Sequence, residues 1–266
     1  MNTSVPVGSS LSSRARSGLF RLLALGGVLA FTAGAAAAQT AEELSVEATD
    51  PTASLFQLNL IGDITPGYNG ADESGFALRF QPVLPFQAWG WNNILRIQAP
   101  YQTSGLGPEG LNEITIFDLV LVDEEWGRWG VGPVVQLAEG SSGREAQFGI
   151  GPALGGVYGV NPDLNVGLFN QNLFGDDLAI SSFQPIVAYQ LGNGWALSSG
   201  DLQFIFDWHD GRWAQVPLGF QLGVVRPILG QPMRFYVNPQ WNVVDREGTF
   251  DSKILIGMTL IAPTGG

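Results

Sequence analysis

Cysteine is absent from the 266 residues, so neither a disulfide framework nor a cysteine-linked lipid anchor is available. Histidine occurs once, at His209, which leaves little material for a His-based metal site or a catalytic pair. Charge is scarce as well: 14% of residues carry it, against roughly 25% in soluble domains. What charge there is leans acidic, with 12 Lys and Arg against 24 Asp and Glu and a net of −12. That balance argues against a nucleic-acid partner, because phosphate recognition needs cations. Past residue 38 there is also no apolar run of about 18 residues, the length needed for a membrane-spanning helix. Yet 45% of the chain is hydrophobic, with 36 Gly, 16 Phe and 8 Trp. A chain this apolar and this poor in charge has little surface to offer water.

The N-terminus reads as an export signal. Arg14, Arg16 and Arg21 supply the positive region, LLALGGVLAF (22–31) a short apolar core, and AGAAAAQ a small-residue cleavage site after Ala38. Three segments follow from this: a secretory signal peptide over 1–38, a polar leader over 39–54, and a β domain over 55–262. The leader, QTAEELSVEATDPTA, has weak helical character and no apolar face of useful width, so it is expected to be flexible.

From residue 55 onward the pattern has period two. In WGVGPVVQL, Trp129, Val131, Pro133, Val135 and Leu137 alternate with Gly130, Gly132, Val134 and Gln136. Similar segments recur between turn residues, giving about twelve antiparallel strands, an even number that suits a transmembrane β-barrel. The fold class expected is therefore all-β, with the apolar rows on lipid. Trp89, Trp91, Trp126, Trp129, Trp195, Trp208, Trp213 and Trp241 fall near strand ends, as two interfacial girdles require. A three-residue loop, His209-Asp210-Gly211, would pair Phe206 with Ala214 and keep the apolar rows of its two strands on one face. Pro82, Pro133, Pro152, Pro185 and Pro239 lie inside strand patterns and lack a ladder donor, so local bulges are expected beside them.

The segments LRFQPVLPF, LRIQAPY, WGVGPVVQL, FGIGPAL, NVGLFNQN, SFQPIVAYQL, RWAQVPLGFQLG and YVNPQWNVV, in this order, carry a family resemblance. The chain resembles the bacterial outer-membrane proteins linked to the MetA pathway of phenol degradation, often labelled neuromedin U. That resemblance covers most of residues 51–262 and implies an outer-membrane β-barrel serving as a channel or transporter. It brings no catalytic residues. Members of that family commonly end close to an aromatic residue, whereas this chain ends LIAPTGG, a departure at the feature that assembly machinery recognises.

If the apolar rows face lipid, the alternate rows line a lumen. The candidate lining includes Gln81, Gln98, Gln136, Gln221 and Gln240, with Arg79, Arg96 and Asp118 on successive strands as a candidate constriction. A lumen of neutral amides suits small uncharged or hydrophobic molecules, aromatic ones among them, better than ions. The expected partners are the outer-membrane bilayer, a small-molecule solute and the assembly machinery, with no cofactor and no metal. Two rival readings differ in class. One is a structural barrel with a plugged lumen. The other is a lipid hydrolase built on His209 and one of Ser181, Ser182, Ser198 or Ser199, although no GxSxG-like element is present.

Overall fold

The computed structural model describes residues 40–111, 113–138 and 147–263. The expected signal peptide, most of the AEGSSGREA turn and the final TGG lie outside them. One short helix, α1 (Ala41–Glu47), precedes β1 (Leu55–Tyr68), β2 (Gly75–Ala88) and β3 (Trp91–Ser104). Next come β4 (Gly110–Leu111), β5 (Glu113–Glu124), β6 (Gly127–Ala138), β7 (Gln147–Asn161), β8 (Leu164–Phe174) and β9 (Ala179–Gly192). The chain continues through β10 (Trp195–Ser198), β11 (Phe204–Asp207), β12 (Arg212–Gln215), β13 (Pro217–Gly219) and β14 (Gln221–Ile228). It ends with β15 (Gln231–Asn242) and β16 (Phe250–Pro263).

All pairings are antiparallel, and the segments make a closed barrel of 12 strands. Three of these are broken: β4 with β5, β10 with β11, and β12 with β13 and β14. The ring is complete because β9 pairs with both β10 and β11, which in turn pair with β14 and β12. At the seam, Leu55 of β1 lies opposite Pro263 of β16. Closure removes every free edge, and this is what lets strands stand in hydrocarbon.

One end of the barrel carries two-residue turns, including Trp89-Gly90, Asn193-Gly194 and Leu229-Gly230. In all three both residues have positive φ, from 51° to 82°, the mirror-image turn geometry that matches strand twist. Leu55 and Pro263 belong to the same end. Longer connections occupy the other end, such as residues 69–74 and 243–249. Between them the outer face is apolar: Leu60, Leu78, Phe80, Val131, Leu154, Leu168, Val187, Phe220, Val237, Ile256 and Met258 are all exposed. Aromatic rings bracket this belt, with Trp91, Trp126, Trp129, Tyr158, Tyr189 and Trp195 toward the tight turns and Tyr101, Trp208, Trp213 and Trp241 toward the loops. A closed antiparallel barrel with an exposed apolar belt between aromatic rings is a transmembrane β-barrel.

Pro82, Pro133, Pro152 and Pro239 keep register without the expected bulges, whereas opposite Pro185 the partner strand is interrupted, with residues 199–203 set against 184–187. Pro133 and Pro152 face each other across β6 and β7. On their far sides, Pro133 stands opposite Asp118 between the rungs Phe117↔Val134 and Val120↔Val131, and Pro152 stands opposite Asn172 between Ile150↔Phe174 and Ala153↔Gln171. In both places the strands simply close in. The carbonyl oxygens of Asp118 and Asn172 sit so near Gly132 and Gly151 that any Cβ would overlap them. Each Gly-Pro step thus replaces a lost N–H···O bond with a close Cα approach that only glycine allows. Pro239 is handled differently. It stands opposite Phe220, between the rungs Gly219↔Gln240 and Leu222↔Val237, and the neighbouring Asn238 donates Nδ2 to the orphaned Phe220 carbonyl at 2.7 Å.

A bulge does occur in the hairpin of β11 and β12. Asp207 pairs with Arg212 and Phe206 with Trp213, leaving a four-residue loop rather than the expected three, and a shift beyond Phe206 then sets Ile205 opposite Gln215. Past that shift the strands run in the register that the apolar rows demand, with Gly211 at φ 63°.

The interior is not uniformly polar. Along β5, Thr115, Phe117, Leu119 and Leu121 point inward and are at most 5% exposed. Phe117, Leu119 and Leu121 join Ile94, Val134, Ala153, Val157, Phe169, Leu173 and Ile186 in one cluster, with the Phe117 and Phe169 rings 5.1 Å apart. One half of the barrel is therefore packed like a soluble core. The two polar cavities lie mainly along the wall made by β1, β2, β3, β15 and β16 and the broken strands, with Gln184 of β9 beside them.

Candidate functional site

Strand β10 stops at Ser198 and β11 resumes at Phe204, so the chain between them leaves the wall. Gly200, at φ 66°, makes the turn inward, and Leu202 becomes buried. This bend carries Asp201 into the lumen, where Oδ2 meets Arg79 Nη1 of β2 at 2.6 Å. Asp63 of β1 binds the same guanidinium through both carboxylate oxygens, at 2.9 and 3.0 Å from Nη2. Gln240 Nε2 and Asn238 Oδ1 hold the bend through the Asp201 backbone, at 3.2 Å each. The result is a fixed polar bar across the polar half of the lumen.

Asp201 borders a cavity on each side of this bar. Toward the loops lies an outer cavity of about 160 Å³, room for about five waters, lined by Asp63, Arg79, Gln98, Glu113, Asp201, Gln203, Gln215, Gln240 and Lys253. Toward the tight turns lies an inner cavity of about 50 Å³, bordered by Gln57, Asn59, Gln81, Arg96, Gln221, Arg234 and Tyr236. Gly257 makes space for the Tyr236 ring, which any Cβ there would strike. Ala48 and Thr49 of the leader form part of the inner cavity's lining.

The leader is a structured insert, contrary to the expected flexible segment. Thr40 caps α1 in a full capping box with Glu43. Leu44, Ala48, Ala53, Leu55, Val225 and Ile261 form a small core, and Val46 packs with Ala188 and Ala196. Three strands then grip the backbone beyond the helix: Arg234 Nη1 donates to Ala48 O at 3.2 Å, Arg96 Nη2 to Pro51 O at 3.3 Å, and Arg128 Nη1 to Thr52 O at 3.2 Å. An apolar stripe of three residues looks too narrow for an isolated helix. It suffices here because the barrel wall surrounds it.

The candidate lining residues divide as follows. Arg79, Gln98 and Gln240 border the outer cavity, and Arg96, Gln81 and Gln221 the inner one. Gln136 is buried on the inward row of β6. Arg79 and Arg96 occupy different levels, since Arg79 lies opposite Pro100 and Val83 opposite Arg96. Asp118 is a correction. Leu119 and Phe117 on either side of it point inward, so Asp118 faces outward, halfway along β5 and opposite Pro133. In TIFDLVLV both rows are apolar, and the bulkier row went to the inner core. The bar is built instead from Arg79, Asp63 and Asp201. Asp201 had a readable sign in the sequence, an SSGD interruption between two strand-like runs. Arg128, Arg234 and Lys253 had none.

Three of the four serines named for hydrolysis, Ser181, Ser198 and Ser199, are engaged elsewhere. Ser181 Oγ donates to Asn172 Oδ1 at 2.6 Å and accepts from Trp208 Nε1 at 2.9 Å, while Ser199 Oγ donates to Pro185 O at 2.7 Å. Ser198 Oγ accepts from Gln221. Among the described residues no serine hydroxyl is hydrogen-bonded to His209, which sits in the turn after β11 with its backbone N–H on Asp207.

No protein-family model and no curated protein sequence matches the chain, so the resemblance to the MetA-linked proteins rests on the quoted segments alone. Solved structures of similar shape include a KdgM porin in complex with disordered oligogalacturonate, at 11% identity and TM-score 0.49 over 77% of this chain and 98% of that one. Outer membrane phospholipase A from Escherichia coli matches at 12% identity and TM-score 0.44, over 79% of this chain and 93% of its own. The calcium-bound dimer of the Salmonella typhi outer membrane phospholipase matches at 11% identity and TM-score 0.45, over 86% and 100%.

Proposed function

We propose that the protein resides in a bacterial outer membrane and admits small, uncharged polar molecules along the polar half of its lumen, with the leader as an inner stopper. The observation that carries this reading is the pair of cavities in series, lined by amides together with charged side chains and separated by the Arg79–Asp63–Asp201 bar. Their lining favours hydroxyl- and amide-bearing solutes over hydrophobic or aromatic ones, because buried polar groups reject ligands that leave them unpaired. Export through a signal peptide cleaved at Ala38 and insertion by the assembly machinery belong to the same reading. So does kinship with the MetA-linked proteins, on the strength of the shared segments. The tight turns would then face the periplasm and the longer loops the exterior.

A structural barrel is favoured by one observation, the filling of the lumen by the apolar cluster and by the leader. Solute flux into liposomes separates the two. The chain lacking residues 40–52 is expected to pass small polyols at least tenfold faster than the chain that keeps them. Arg79→Ala in the same background is expected to widen the size limit. Vesicles that stay sealed to every solute after the deletion would leave only the structural reading. Hydrolysis of phospholipid abolished by His209→Ala would support the enzymatic one instead.

A further inference from the structure

Two arginines border the inner cavity without a carboxylate. Among the described residues no ion pair reaches Arg96 or Arg234, and each spends one nitrogen on a leader carbonyl. Arg96 Nε and Arg234 Nη2 are buried and meet no acceptor, and Gln57 Nε2 of β1 is in the same state. The three residues are 8%, 4% and 3% exposed. All three border the same space of about 50 Å³. The neighbouring carboxylates are committed, Asp201 to Arg79 at 2.6 Å and Asp50 to the Thr52 amide and hydroxyl at 2.7 Å each. The Phe117 and Tyr236 rings lie near the two guanidinium groups, with centroids 5.3 and 5.0 Å from Cζ.

Buried charged donors left unmet are costly. A single water offers two acceptor sites to these three donors and brings no charge. A small anion offers acceptors to all three and offsets one of the two positive charges. The volume suits a halide, formate or nitrate. From this convergence we infer that the inner cavity is a binding site for a small monovalent anion, held by Arg96, Arg234 and Gln57. The leader carbonyls use other nitrogens of the same arginines, so the anion and the leader are held together. The assignment rests on the cavity and not on solute passage.

Chloride-35 line broadening on the detergent-solubilised full chain tests it, at constant ionic strength with gluconate as the replacing anion. The expected result is excess broadening that formate and nitrate displace. Arg234→Gln is expected to weaken binding about tenfold, the loss of one charge-assisted hydrogen bond. Gln57→Leu, which keeps both charges, is expected to weaken it about threefold, the loss of a neutral one. Arg212→Gln, at the exposed start of β12, should leave it unchanged. Absence of excess broadening in the unmodified protein, or broadening that both cavity substitutions leave intact, would overturn the site. Broadening in a barrel that passes no solute would leave the site standing and sink the channel.

Discussion

At the scale of single residues, proline is the main strain on the barrel, and its neighbours relieve it. Gly132 and Gly151 let the Asp118 and Asn172 carbonyls fall into the place a side chain would fill. Gly132→Ala or Gly151→Ala is therefore expected to destabilise the barrel by about 1–3 kcal/mol or more through overpacking, read as loss of the heat-modifiable gel shift. Asn238→Leu should cost about 1–3 kcal/mol, because the Phe220 carbonyl is left bare in the wall. Asp118 points the other way. A carboxylate on the lipid face near mid-strand is unfavourable, so Asp118→Leu is expected to stabilise by on the order of 1 kcal/mol, measured as a shift of the urea midpoint in lipid vesicles. A lower midpoint would show that something other than lipid meets this side chain.

Among the elements, the leader is the one whose state depends on conditions. Its docking is anchored at Thr52 by Arg128, which also pairs with Asp123 at 2.6 Å. Arg128→Ala should free the leader by about 1.5–3 kcal/mol, as expected for hydrogen bonds to a charged group, while the strands stay protected from exchange. Asp50 makes docking depend on pH. Burial pushes its carboxyl up from the ordinary 3.8, against the opposing hydrogen bonds from Thr52 and the charge of Arg128. A docked value raised above the free one means that the docked state prefers the proton. Acidification therefore favours docking, and the penalty for the bare charge is complete only above the raised value. Protection of the Leu44 and Ala48 amides, corrected for intrinsic exchange, is expected to rise as pH falls toward 3.8. Asp50→Asn should abolish the trend.

For the whole molecule, the decisive property is which medium surrounds the barrel. Val131, Phe220 and Val237 are 45%, 46% and 39% exposed on the outer face, and Leu119 is fully buried in the inner cluster. Spin labels at the first three should collide with a lipid-soluble quencher in membranes, whereas a label at Leu119 should not. Shielding at the outer positions would mean that another protein layer covers the belt. The apolar half of the interior adds a second expectation: the barrel should keep its shape when the leader is removed, since the Phe117–Phe169 cluster makes no use of it.

Strand number, antiparallel order, the outward row of most strands and the aromatic girdles were all legible in period-two alternation, because lipid imposes one rule on every strand. The rule fails where it gives no contrast. In β5 both rows are apolar, so neither the inward course of Phe117 and Leu119 nor the outward course of Asp118 could be read. Alternation also says nothing about what fills a closed barrel. The leader's helix is too short and too narrowly apolar to reveal itself, and it acquires a seat only when Ala188, Ala196, Val225 and Ile261 are gathered around it. The bar across the lumen joins Asp63, Arg79 and Asp201, the last 122 residues from the second, and such a contact exists only after the ring has closed. Sequence determined which surface meets lipid, since that is a matter of local period. Tertiary structure alone decided what occupies the interior, since that depends on which distant side chains closure brings face to face.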